Sequence, residues 1–140
     1  MKKKIIINTS TFVNATSENT PGFINSLVDS LSSQYSDLEI IVLRPMINVK
    51  EIPYKEFNYI VKPYRYFWPL NFQTLHKYGL KPSIDKNKLN VVKVSLLIIC
   101  QFIALLRLIR KEKPDYIYAQ WFMPQGFVTA VASNFTSAKF

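Results

Sequence analysis

Histidine and cysteine each occur once in the 140 residues, as His76 and Cys100. A single residue of each type cannot build a histidine or cysteine metal centre, and one thiol makes no disulfide framework. Cys100 sits in an apolar run and reads as a buried structural thiol. Glycine is scarce, with three residues beside eight prolines, and no internal period is visible. Repeat and low-complexity architectures are therefore excluded. Acids are few: nine against 18 lysines and arginines, for a formal charge of +9. No pair of carboxylates stands near the predicted loops to do acid–base work. Neither a metal nor a cofactor is expected.

Long apolar runs are also missing. Met1 to Ile7 starts like a signal peptide, but its apolar run stops at Asn8, short of the roughly 7–15 residues a signal core needs. The most apolar segment, Val91 to Arg110, has thirteen residues between Lys93 and Arg107, whereas a membrane span takes about 20. It is expected to be a buried helix of a soluble domain.

The chain does hold one domain's worth of core-forming sequence, 49% hydrophobic and 14% aromatic, which excludes a disordered chain. Lys4–Asn8 reads as a first strand, a continuous apolar core bounded by polar residues, as buried parallel strands tend to be. A polar loop follows, and Thr20-Pro21 sets an N-cap and a first helical position. The helix it opens carries Phe23, Ile24, Leu27, Val28, Leu31 and Tyr35 on one face. Leu38–Leu43 is a second strand, ended by Arg44-Pro45, and Phe57–Lys62 a third.

After the third strand comes a stretch of rings and cations, including Arg65, Tyr66, Phe67, Trp68 and Lys77. Nine basic and three acidic residues lie between Lys50 and Lys93, which accounts for six of the nine excess charges. Such a stretch suits a membrane interface, base stacking, or a loop folded back on the core. An anionic partner would answer the charge bias, as would a plain solvated surface.

The chain is organised around Lys113-Pro114-Asp115-Tyr116-Ile117-Tyr118-Ala119-Gln120-Trp121-Phe122-Met123-Pro124-Gln125-Gly126. A charged helix end stops at Pro114, a short buried strand follows, and Pro124 marks a new helix. That helix is predicted over Gln125–Ser133, with Phe127, Val128, Val131 and Ala132 inward, and Lys139-Phe140 reads as the start of a further strand. Helix, strand, loop, helix is one step of an α/β ladder, whose ligands sit at the carboxyl ends of strands. Gln120 to Gly126 is thus the first candidate site. Trp121 is either part of it or a core anchor.

The same stretch resembles glycosyltransferase family 4, whose N-terminal domain carries Lys-Pro-Asp-(apolar)-Ile-His-(Ala/Ser)-His-Trp-x-x-Pro-Gln-Gly. The match falls on Pro114, Asp115, Ile117, Trp121, Pro124, Gln125 and Gly126, with Tyr118 and Gln120 in place of two histidines. Asn19-Thr20-Pro21-Gly22-Phe23 stands where the family has a glycine-containing helix start, and Arg65-Tyr66-Phe67-Trp68-Pro69 resembles a loop of the same enzymes. Free N–H groups at such a helix start would favour an anion, although a plain helix start is an equal reading.

The resemblance implies an α/β fold: a Rossmann-like parallel sheet with flanking helices, the N-terminal, acceptor-side part of a GT-B glycosyltransferase. Residues 1–140 would form a single, incomplete domain, without the second domain that grips the nucleotide-sugar donor. The activity implied is sugar transfer to a lipid-linked or saccharide acceptor, in the cytoplasm at the inner face of the membrane. Implied substrate-binding residues are Pro21, Gly22, Gln120, Trp121, Gln125 and Gly126; no catalytic residue is assigned. Arg65, Tyr66, Phe67, Trp68 and Lys77 would contact an anionic membrane surface. The alternative is a non-catalytic, basic membrane-surface or interaction module on the same fold. No nucleic acid is expected, since no recognition helix rich in Arg or Asn accompanies the charge.

Overall fold

The structure, a computed structural model, describes residues 2–10, 12, 22–46, 54–56, 59–69, 73, 75, 84–85 and 87–140. Strands β1 (Lys3–Asn8), β2 (Leu38–Pro45), β4 (Tyr59–Tyr64) and β5 (Tyr116–Ala119) are parallel to their neighbours. A short strand β3 (Tyr54–Glu56) runs antiparallel along the outer edge of β4. The spatial order is β3-β4-β2-β1-β5. The parallel strands alone therefore run third, second, first, fourth, and the order reverses at β1.

Successive side chains of a strand point to opposite faces, and both faces here are covered. Ile6, Ile41, Leu43, Tyr64 and Ile117 pack under helices α2 (Asn90–Glu112) and α3 (Phe127–Ser133). Ile7, Ile40, Val42 and Val61 pack with Ile24 and Val28 of helix α1 (Phe23–Gln34). Phe12 closes that second core edge-on to Tyr59, with ring centroids 5.8 Å apart. Double-sided burial is why these strands are continuous apolar runs. The result is an α/β domain.

Several boundaries differ from the sequence expectation. β2 runs through Arg44 and Pro45, because β4 keeps pairing with it as far as Tyr64. Arg44 is wholly buried, and its Nη1 donates to the Pro45 carbonyl at 3.1 Å. The third strand is shifted to Tyr59–Tyr64, and Phe57 lies outside the described residues. On α1 the buried stripe is Ile24, Val28 and Ser32. Phe23 lies about 100° away around the helix and Tyr35 is only its cap, so both rings stay in solvent.

Helix α2 ends as the sequence requires: Lys113 takes a left-handed conformation (φ 48°) and Pro114 follows. Arg110 and Lys111 in its last turn complement the helix dipole. The expectation of a buried helix is corrected. Only Leu97, Gln101, Leu105, Leu108 and Ile109 are buried, a single stripe on the sheet. At 23 residues it is, among the described residues, the one helix long and apolar enough to cross a membrane, and 28% of its most apolar window is buried. Glu112 ties its end to two strands, accepting from Lys62 Nζ at 2.6 Å and from Lys4 Nζ at 3.0 Å.

On α3, Val128 and Ala132 face inward as expected, but Phe127 and Val131 are exposed and Thr129 is buried instead. The helix starts two residues later than predicted, and its rotation on the sheet brings Thr129 inward, where it meets Asn8. Lys139 lies beside β5 as a parallel bridge, with the Ile117 N–H donating to its carbonyl at 2.8 Å. The further strand expected at Lys139-Phe140 is present only as this single isolated bridge and is not a strand of the sheet.

Candidate functional site

In an open parallel sheet a crevice forms where the strand order reverses, outside the carboxyl ends of the two strands concerned. Here those strands are β1 and β5. β1 ends on Asn8 and β5 opens into Gln120 and Trp121, and the Gln120 N–H donates to the Asn8 carbonyl at 3.0 Å. The two strand ends are thus joined where the crevice of such a sheet is expected.

Beneath lies a buried polar layer. Asn8, wholly buried, donates from Nδ2 to Thr129 Oγ1 of α3 at 3.0 Å. Its Oδ1 accepts from Gln101 Nε2 of α2 at 2.8 Å. One amide thereby fixes both helices to the end of β1. Sequence reading missed Asn8, Gln101 and Thr129 as a group. The available signal was a polar residue breaking each of two apolar runs, Ile5–Ile7 and Val94–Leu106.

Above the layer stands the turn Phe122–Gly126, a wide helical turn interrupted at Met123 by extended backbone (φ −124°, ψ 134°). Its closing bond runs from the Gly126 N–H to the Trp121 carbonyl, 2.9 Å, five residues back. Gly126 fits closely there: a Cβ would lie 3.2 Å from that carbonyl oxygen, a tight contact that the turn would have to relax by a few tenths of an ångström. Trp121 has φ 74° and ψ 138°, a region that side chains other than glycine's rarely enter. The residue is 57% exposed, so Trp121 is not a core anchor.

Of the predicted binding residues, Gln120, Trp121, Gln125 and Gly126 all belong to this strand end and turn. They differ in access. Gln125 is 1% exposed, and neither its Nε2 nor its Oε1 has a partner among the described residues; Gln101 Oε1 is in the same state. Unpaired buried amides are uncommon and mark a place for a polar partner. Tyr118 and Gln120, at the two positions where the resembling family has histidines, bond to each other from Tyr118 Oη to Gln120 Oε1 at 2.7 Å. Gly22 opens α1 on the opposite face of the sheet, where a Cβ would fall 2.6 Å from that of Asn25. Pro21 lies outside the described residues.

The predicted membrane-contact residues also separate. Tyr66 is 3% exposed, which removes its ring from any surface. Its N–H donates to Gln73 Oε1 at 2.8 Å and its Oη accepts from the Leu75 N–H at 3.2 Å. Burial pushes the Tyr66 phenol up to about 12, against the small opposing effect of that N–H. Phe67 packs partly against the core, whereas Arg65 and Trp68 are exposed. Lys77 lies outside the described residues.

Among the described residues no three side chains of His, Cys, Asp or Glu gather to hold a metal. Compared with family models, curated proteins and solved structures, the chain finds no match in any of the three.

Proposed function

We propose that the chain is the acceptor-side, Rossmann-like part of a GT-B glycosyltransferase, and that the crevice between β1 and β5 takes a saccharide. One observation carries the reading. Trp121 is held exposed at that crevice in a backbone conformation that costs a non-glycine residue about 1–3 kcal/mol. A large ring kept in solvent at such a cost is suited to stacking on the apolar C–H face of a sugar. Gln120 beside it offers an amide to hydroxyl groups, and a parallel order of third, second, first, fourth supports a doubly wound sheet. The sequence resemblance around Pro124-Gln125-Gly126 supports the same reading. In it, a lipid-linked or saccharide acceptor occupies this crevice, and a nucleotide-sugar supplies the transferred group.

Saturation-transfer NMR with short gluco-, manno- and galacto-oligosaccharides tests the binding step. Saccharide signals are expected with the parent and with Trp68→Ala, and are expected to vanish with Trp121→Ala. No transfer to any saccharide, or transfer undiminished by Trp121→Ala, refutes the reading.

A second reading, a non-catalytic membrane-surface module, is favoured by the exposed apolar side of α2.

A further inference from the structure

We infer that the outer side of α2, together with Trp68, is a docking surface for an anionic lipid bilayer, on which the domain lies without crossing. The inference takes up the membrane partner of the second reading and does not depend on sugar binding.

The residues Val92, Leu96, Ile99 and Ile103 follow the spacing i, i+4, i+7, i+11 and so form one ridge along the helix. Val92, Ile99 and Ile103 are exposed and Leu96 is half-buried, while the stripe through Leu97, Gln101, Leu105 and Leu108 faces the sheet. Leu89, 74% exposed, extends the ridge beyond the start of the helix. The one polar residue within it, Ser95, donates its hydroxyl back to the Val91 carbonyl at 3.1 Å. The ridge therefore presents almost no unmet hydrogen-bonding demand.

Beside it runs a shallow groove lined by Arg65, Tyr66, Phe67, Trp68, Leu96 and Cys100. Trp68 stands 73% exposed there, with the Arg65 guanidinium 5.1 Å from its ring centre. Lys93 Nζ lies 5.8 Å from the ring centre of Phe67. Cations held over rings at the margin of an apolar ridge match the headgroup zone of a bilayer, charge outward and ring at the boundary. A helix with one apolar side and basic flanks lies in the plane of that interface.

Charge decides the occupant. From Asn87 to Lys111 there are five cations and no acid. A second copy of the chain laid on this surface would set cation against cation, whereas acidic headgroups complement them. Crossing the bilayer is opposed by what holds the other side of α2. It would break the Gln101–Asn8 bond and the Glu112 ion pairs and strip Leu97 and Leu105 from the sheet.

The test is sedimentation with vesicles of phosphatidylcholine, pure or with about a third phosphatidylglycerol. Binding is expected only to the acidic vesicles. It should weaken about fivefold for each of Arg65 and Lys93 replaced by Gln, and be lost on washing with alkaline carbonate. Ile99→Ser/Ile103→Ser should bind at least tenfold more weakly with an unchanged circular dichroism spectrum. In a Trp121→Phe background the Trp68 fluorescence should shift to the blue on binding, a readout that needs no ridge variant. Equal binding to neutral and acidic vesicles, no binding at low salt, or no Trp68 shift overturns the inference. So does a lipid-free dimer that Ile99→Ser/Ile103→Ser dissociates, which would assign the ridge to a second copy. Resistance to carbonate would show a crossing helix and overturns it equally.

Discussion

Asn8 Oδ1 and Gln101 Nε2 meet at 2.8 Å across 93 residues of sequence, and both side chains are wholly buried. The same Asn8 amide also donates to Thr129, so one side chain at the end of β1 carries the attachment of both helices on that face.

Replacing Asn8 by Ala leaves two buried groups without a partner, and should lower unfolding stability by about 2–6 kcal/mol, at about 1–3 kcal/mol per unsatisfied group. Gln101→Leu should cost less, because the Gln101 Oε1 already lacks a partner among the described residues. The double variant Asn8→Leu/Gln101→Leu should be more stable than Asn8→Leu alone. Urea denaturation reads all four variants, and additive losses would show that the pair does not act as a unit.

Glu112 takes protons less readily than a free carboxylate, first because of the hydrogen bond from Lys62, with Lys4 adding to it. Its folded pKa is lowered from the ordinary 4.5, so its contribution is full above pH 4.5 and is lost as pH falls through the folded value. Glu112→Gln should therefore be less stable than the parent near neutral pH, by about 1–3 kcal/mol. The gap should close in acid. A gap that persists at pH 2 would point to packing instead of charge.

Tyr66 gives the opposite sign. Burial raises its folded pKa from 10.0 to about 12, so the stabilisation is complete below pH 10 and drains away as pH rises toward 12. Tyrosine absorbance at 295 nm should show a late-titrating phenol that disappears in Tyr66→Phe. Tyr64, raised further by burial, should titrate only as the fold is lost.

Trp121→Gly separates stability from function. Glycine tolerates φ 74° without strain, so the variant should melt no lower than the parent and up to several degrees higher. It should at the same time lose the saccharide signals. A melting temperature several degrees below the parent would show that the Trp121 ring holds the turn together.

The parallel ladder was legible because Ile5–Ile7 and Ile40–Leu43 are short, uninterrupted, mostly β-branched apolar runs, as strands covered on both faces tend to be. The turn after β5 was legible from Pro114 and Pro124, which punctuate either side of it. The Asn8–Gln101 bond was not, since the pairing of two polar residues so distant in sequence depends on how α2 is rotated on the sheet. The same rotation hid the exposed ridge: hydropathy shows that Val92, Ile99 and Leu105 are apolar, not which of them meets the sheet. Phe127 and Val131 were misplaced for that reason too.

Gln101 also divides α2 into two unequal arms. Beyond it lie Leu105, Leu108, Ile109 and the ion-paired Glu112; before it, only Leu97 is buried. Amide protons from Asn90 to Cys100 should therefore exchange through local fraying at a free energy well below that of global unfolding, while those from Leu105 onward report the whole domain. The helix is one rod in shape and two units in cooperativity. A contact that covers its outer side would be read first as slowed exchange in the loose arm.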